Sequence, residues 1–196
     1  MEKKKRSSNP DGVPEDARRV FRGVIFDVWQ WKQTMYDGTR ATFEKIARVD
    51  TAVVIPTVGN KILIEVQEQP DRQKPFVSLP AGRCEPGERP LESAQRELEE
   101  ETGYTSTDWT LWKEDRPHGK ILWTIYHFIA RNSTLTSAPH LDAGERISTK
   151  LVTFDEFLML SDEPTFRDRD LLEILLRARL NKKTRAELRA TLFKKP

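Results

Sequence analysis

The sequence predicts a mixed α/β sandwich, and three observations carry that expectation. Short runs rich in β-branched and aromatic residues recur along the chain, a helical segment over Pro90–Thr102 interrupts them near the middle, and a second helical pattern begins near Asp170. Strands alternating with a central helix bury their apolar faces as sheet against helix. At 196 residues the chain encloses one substantial core, so one main domain with extensions is expected, not two independent ones.

Taken in order, residues 1 to about 18 are charged, carry Pro10, Gly12 and Pro14 and lack an apolar period, so they read as a mobile tail. Residues 19–49 read as an N-terminal β extension. Within it, runs 24–32 and 39–46 flank Asp37-Gly38, a turn pair that predicts an antiparallel hairpin. The main domain is expected over 50–196. Runs 51–57 (TAVVIPT) and 61–66 (KILIEV) flank Gly59-Asn60 and predict a second hairpin, with apolar density suited to burial on both faces. A polar loop leads to a short strand at 76–79, and Pro80-Ala81-Gly82 opens the next loop. Further strands are expected at 109–112, 121–130 and 150–154, a long loop at 133–144, and a helix over 170–180 from the spacing of Leu171, Leu172, Leu175, Leu176 and Leu180.

Bulk properties exclude several function classes. Lys and Arg number 33 against 31 Asp and Glu, a balance that gives no reason to expect a nucleic-acid partner or an anionic membrane. The one cysteine, Cys84, cannot form an internal disulfide, and no apolar run follows the basic cluster Lys3–Arg6 as a signal peptide requires, so a cytoplasmic location is expected. Apolar runs are far shorter than the roughly 20 residues that span a bilayer.

The chemistry concentrates on one helix. Proline stands at its start and Gly103 just past its end, the asymmetry that helix termini favour. At about 100° per residue, Leu91, Ala94, Leu98 and Thr102 share one face, Glu97, Glu100 and Glu101 an adjoining one, and Glu92 and Glu99 point elsewhere. Three carboxylates within one turn repel unless something neutralises them. Oxygen ligands at that density suit Mg²⁺ or Mn²⁺, and Arg96 would offset part of the charge by pairing with Glu100 or Glu88.

The spacing is specific. Gly82, five residues, Glu88, seven residues and Arg96-Glu97-Leu98-Glu99-Glu100-Glu101-Thr102-Gly103-Tyr104 matches the Nudix signature at every constrained position, with Tyr104 in the last apolar place. The chain therefore resembles Nudix hydrolases, which implies the α/β/α sandwich of that family with a mixed sheet, an N-terminal antiparallel extension and a C-terminal helix. The resemblance also implies a Mg²⁺ site built from Glu97, Glu100, Glu101 and the Ala81 carbonyl, with Arg96 and Glu88 orienting it and Gly82 and Gly103 serving the backbone. Metals at such a site bind diphosphate oxygens and activate water for attack on phosphorus.

The resemblance extends to the ADP-ribose pyrophosphatase branch through Leu79-Pro80-Ala81-Gly82 and the strand-rich extension. It implies a homodimer formed by exchange of that extension, and an extra catalytic glutamate at Glu145, within Gly144-Glu145-Arg146-Ile147, with Asp142 in reserve. It further implies a nucleotide-sugar substrate held by Phe43, Arg48 and Trp29, with Trp31 as the alternative ring. Two departures stand out: Gln67-Glu68-Gln69 lacks an arginine common in the branch unless Arg72 or Lys74 replaces it, and Ser78 stands where an acid is common. The expected reaction is Mg²⁺-dependent hydrolysis of the diphosphate bond of ADP-ribose or another nucleotide sugar. The alternatives are a dinucleotide or a damaged nucleoside triphosphate as substrate, or a non-catalytic nucleotide-sensing module. His118, His127 and His140 lack zinc-ligand spacing.

Overall fold

The computed structural model describes residues 10, 12–116 and 119–194. The chain forms two compact units: one from the described residues up to Asp50 together with Arg116–Ile125, the other from Thr51–Asp115 and the described residues from Tyr126 onward.

In the first unit β1 (Arg18–Arg22), β2 (Phe26–Thr34) and β3 (Arg40–Arg48) form an antiparallel meander. The expected hairpin is present. Asp37 Oδ1 accepts from Thr39 N at 2.9 Å and Thr39 Oγ1 at 2.7 Å, and Gly38 takes φ 82°, so the turn is closed by side-chain chemistry and by a residue without Cβ. Of the expected N-terminal tail, residues 1–9 and 11 lie outside the described residues. Ala17 is buried with Trp29 and Ala47, which ties the segment before β1 to the sheet. The apolar run 121–130, expected as one strand, is two. Ile121–Leu122 pairs in parallel with Ile46 and Ala47 of β3, and Thr124 N donates to Asp50 Oδ1 at 2.7 Å. A break at Trp123-Thr124 lets one apolar run serve two units.

The second unit is built on a seven-stranded sheet. β4 (Thr51–Val58) and β5 (Lys61–Glu68) form the second expected hairpin, turned by Gly59 at φ 58°. β6 (Phe76–Ser78) pairs with β5 and β7 (Ala81–Arg83) with β4. The strand order runs Arg146–Thr153, β5, β4, Ile125–Arg131, Asp108–Asp115. Helix α1 (Pro90–Thr102) lays Ala94 and Leu98 on Ala52, Val54, Leu63, Phe128 and Ala130. The alternate residues Val53 and Ile55 are equally buried, so β4 is apolar on both faces, as a sheet covered by helices on both sides requires. Each such side chain contributes about 1.5–3 kcal/mol on burial.

The chain then adds α2 (Phe154–Met159), α3 (Leu172–Leu180) and α4 (Lys182–Leu192). Phe154, expected as a strand end, instead starts α2. Thr153 Oγ1 accepts from Glu156 N at 3.2 Å and Glu156 accepts from Thr153 N at 2.7 Å, a capping box that turns strand into helix. The helix expected from Asp170 starts as the 3₁₀ turn Arg169–Leu171. No helix among the described residues is long and apolar enough to cross a membrane.

Candidate active site

The ends of α1 are fixed locally. Glu92 accepts from Arg89 N at 2.9 Å and pairs with the Arg89 guanidinium at 2.7 Å, closing the first turn in place of a Ser or Thr cap. Gly103 terminates the helix in the left-handed region at φ 74°, and a Cβ there would lie 2.1 Å from Ser137 O, so no other residue fits. Between these ends Glu101 turns inward and Glu97 is half-buried, while Glu100, expected beside them, is exposed like Glu99.

Arg96 is the hub of the outer half. Its guanidinium reaches Glu88 at 3.0 and 3.1 Å, Glu97 at 2.7 Å, Glu100 at 3.1 Å and the Arg83 carbonyl at 3.1 Å. Both expected pairings, with Glu88 and with Glu100, form together. The Arg96 hydrogen bonds hold Glu88 down to about 2. Gly82 owes its place to room. A Cβ there would lie 1.8 Å from Glu97 Oε1, so the loop backbone and this carboxylate are in contact.

The inner half is a cluster of buried acids. Glu101 Oε2 accepts from Ala81 N at 2.9 Å, which fixes the carboxylate against the start of β7. Burial, reinforced by Glu65 and Glu97, raises the Glu101 pKa well above the ordinary value. Burial likewise raises Glu97. Of the two loop acids, Glu145 is the one whose charge bears on Glu97, Glu101 and Glu65, whereas Asp142 is exposed.

Glu65 was missed by the sequence reading. It is fully buried on β5, accepts from Gln67 Nε2 at 2.7 Å, and burial pushes it up to about 8. The alternation of a strand contained the signal: Leu63 packs beneath α1, so Glu65 and Gln67 share that face. Ser78, noted above for lacking an acid, is the register partner of Glu65 across β5 and β6 and donates to it at 3.5 Å. Asp168, also unforeseen, is buried, accepts from Leu79 N at 2.9 Å and is pushed by burial up to about 7.

These residues fit a divalent cation. Glu65 Oε1 is buried without a hydrogen-bond partner, and the absent side chain at Gly82 lets Glu97 close on the loop. Unshielded carboxylates at this density are costly to ionise, and a hard cation with oxygen ligands is the natural compensation. A second grouping, Asp115, His127 and Asp170, places one ligand atom from each within 4.8 Å. There, however, Lys113 Nζ is ion-paired with Asp115 and donates to the Asp170 carbonyl at 3.1 Å, while His127 Nε2 meets Asp170. Those carboxylates already have polar partners, so the group reads as a half-buried polar network around the buried His127. His118 lies outside the described residues.

The expected substrate-binding residues lie in the first unit. Trp29 is buried, with Arg19 5.8 Å from its ring centroid. Phe43 sits opposite Trp31 in the β2–β3 register, ring centroids 6.0 Å apart, with Lys120 Nζ 4.3 Å above it. Arg48 lies 4.2 Å over Trp123.

Comparison with known proteins agrees with this geometry. Residues 47–173 match the family model described as NUDIX domain. The chain is 31% identical over 146 residues to the ADP-ribose pyrophosphatase of Bacillus subtilis (strain 168), covering 72% of this chain and 78% of that protein. It is 35% identical over 120 residues to the methanol dehydrogenase activator of Bacillus methanolicus, covering 60% of this chain and 64% of that protein. A crystal structure of an ADP compounds hydrolase superposes with a TM-score of 0.69 at 20% identity, over 86% of this chain and 93% of the other, a likeness of fold.

Proposed function

This chain belongs to the NUDIX domain family and is a Nudix hydrolase, and from that premise we propose that it cleaves the diphosphate bond of a nucleotide sugar, ADP-ribose foremost, with Mg²⁺. The products would be a nucleoside monophosphate and a phosphorylated sugar. The observation that carries the reading is the closure of Glu97 on Gly82 and of Glu101 on Ala81 N, beside the buried Glu65 and with the charge of Glu145 bearing on all three acids. The B. subtilis relative, named an ADP-ribose pyrophosphatase, supports the choice of sugar.

Glu97, Glu100, Glu101 and the Ala81 carbonyl would hold Mg²⁺ or Mn²⁺. When bound, such an ion neutralises diphosphate oxygens and makes water more acidic. Ala81 N keeps Glu101 in place, and Arg96 orients Glu97 and Glu100 while Glu88 braces Arg96 from the loop. Glu145 takes the proton of the attacking water as its oxygen bonds to phosphorus, and the bridging P–O bond breaks with its electrons leaving on the departing phosphate. In the first unit, Phe43, Arg48 and Trp29 are proposed to hold the nucleotide. Trp29 is packed against Ala17 and Ala47, so Phe43 beside Trp31 is the pair to test first. A homodimer through this extension is supported by its exposed Val20, Phe21, Val24, Ile25 and Phe26, and light scattering checks it.

The test is magnesium-dependent phosphate release, through a coupled phosphatase, from ADP-ribose, GDP-mannose, UDP-glucose, diadenosine polyphosphates and nucleoside triphosphates. Turnover is expected with ADP-ribose and is expected to fall by orders of magnitude in Glu101→Gln while folding survives. Absence of turnover on every substrate with Mg²⁺ and Mn²⁺ would sink the hydrolase reading. Likeness to the methanol dehydrogenase activator favours a second reading, a Nudix module that senses a nucleotide or regulates another enzyme. That reading requires nucleotide binding without turnover.

A further inference from the structure

We propose that a recess lined by Arg72, Lys74, Arg167 and Arg169 is an anion site for a phosphate group carried on the leaving half of the substrate, an inference that rests on the diphosphate-hydrolase reading above. The recess measures about 520 Å³, and its walls carry these four cations and no carboxylate. Among the described residues none of the four forms a salt bridge. A concavity lined by one sign of charge focuses potential and concentrates counter-ions.

The cations are placed, not scattered. The buried ring of Phe76 forms the floor, with the Arg72 guanidinium 4.4 Å and the Arg167 guanidinium 5.8 Å from its centroid. Contact with the ring face steadies a guanidinium while leaving its N–H fork open to an oxyanion. The segment that brings Arg167 and Arg169 is stitched to β6: Val77 N donates to Thr165 O at 3.2 Å and Arg167 N to Val77 O at 2.8 Å. Between the two arginines, Asp168 is buried, accepts from Leu79 N and does not line the recess. The acid nearest in sequence thus gives its hydrogen bond to Leu79 N, and only its charge bears on Arg167.

Position places the recess beside the chemistry. An adjoining cavity of about 380 Å³ is lined by Glu145 and shares the wall Arg72, Gln73, Lys74 and Pro75 with the recess. A substrate whose scissile diphosphate lies by Glu145 could extend its leaving half along that wall to the arginines. Beside ADP-ribose, the recess therefore adds a second substrate class, a nucleoside diphosphate joined to a group that itself bears phosphate.

Two measurements test the proposal on the full chain. In EDTA the carboxylate centre repels anions, so calorimetric binding of inorganic diphosphate reports the recess. One site per chain is expected, weakened about tenfold or more in Arg72→Gln and in Arg167→Gln, and weakened by added salt. Both arginines are exposed, so the variants should fold, and thermal unfolding confirms it. With Mg²⁺, the ratio of kcat/KM for diadenosine tetraphosphate over ADP-ribose is expected to fall about tenfold in Arg167→Gln, and inorganic diphosphate to compete with the dinucleotide. No binding in EDTA, or equal binding by the variants, overturns the anion site. Non-competitive inhibition with an unchanged ratio overturns the substrate assignment in favour of a free regulatory anion. Failure of the hydrolase reading is separate, being loss of all turnover while the calorimetry still decides the site.

Discussion

Gly82→Ala separates folding from function at one atom. The added Cβ would lie 1.8 Å from Glu97 Oε1 and 1.9 Å from the carboxyl carbon. Ordinary contact between non-bonded heavy atoms is about 3.5–4.0 Å, so the carboxylate must withdraw by about 1.7 Å or more. The obstructing atoms end a flexible side chain, so the fold should survive. The stability cost is the Glu97–Arg96 contact at 2.7 Å, a hydrogen bond worth about 0.5–1.5 kcal/mol net and a melting shift of a few degrees in a chain of this size. A misplacement of about 1 Å at a reacting centre can cost about a hundredfold in rate, so turnover of ADP-ribose should fall by at least that factor. Steady-state kinetics, Mn²⁺ calorimetry and thermal unfolding measured together decide it. Turnover within about threefold of wild type, with unchanged Mn²⁺ affinity, would refute the role given to Glu97.

Three further outcomes follow from the same geometry. Glu65 is raised by burial to about 8, so its contribution to stability is full below about 4.5 and lost as pH rises through 8; melting curves of metal-free protein should decline over that window, and Glu65→Gln should flatten the decline. Glu88 is lowered to about 2 by Arg96, so its contribution is present above 4.5 and lost as pH falls towards 2; Glu88→Gln should level the acid limb of the stability profile. Asp168→Ala leaves the buried Leu79 N without its acceptor and should cost about 1–3 kcal/mol in urea denaturation.

Local signals made much of the site legible. Proline at the first turn and Gly103 after the last fixed the bounds of α1, and helical periodicity separated the inward Glu101 from the exposed Glu99. Turn chemistry at Asp37-Gly38 and Gly59-Asn60 located both hairpins. What escaped depends on pairings distant in the chain. Glu65 joins the acids because β5 runs beneath α1, and Asp168 because a segment 89 residues on folds back to Leu79. The run 121–130 looked continuous because periodicity records which residues are apolar, not which sheet receives them. Phe154 reads as a strand end because it continues the apolar run, whereas the capping box of Thr153 and Glu156 starts a helix directly at the strand's last residue.

The pairing of Ile121 with Ile46 sets a timetable for synthesis. At ribosomal elongation of roughly 5–20 residues per second, roughly 4–15 s separate the emergence of the two partners. During that interval the outer edge of β3 near Ile46 and Ala47 presents unpaired backbone groups in a nascent chain whose β1 and β2 are already made. An exposed edge of that kind recruits other strands, so the N-terminal meander stays open to misassociation until its last strand arrives.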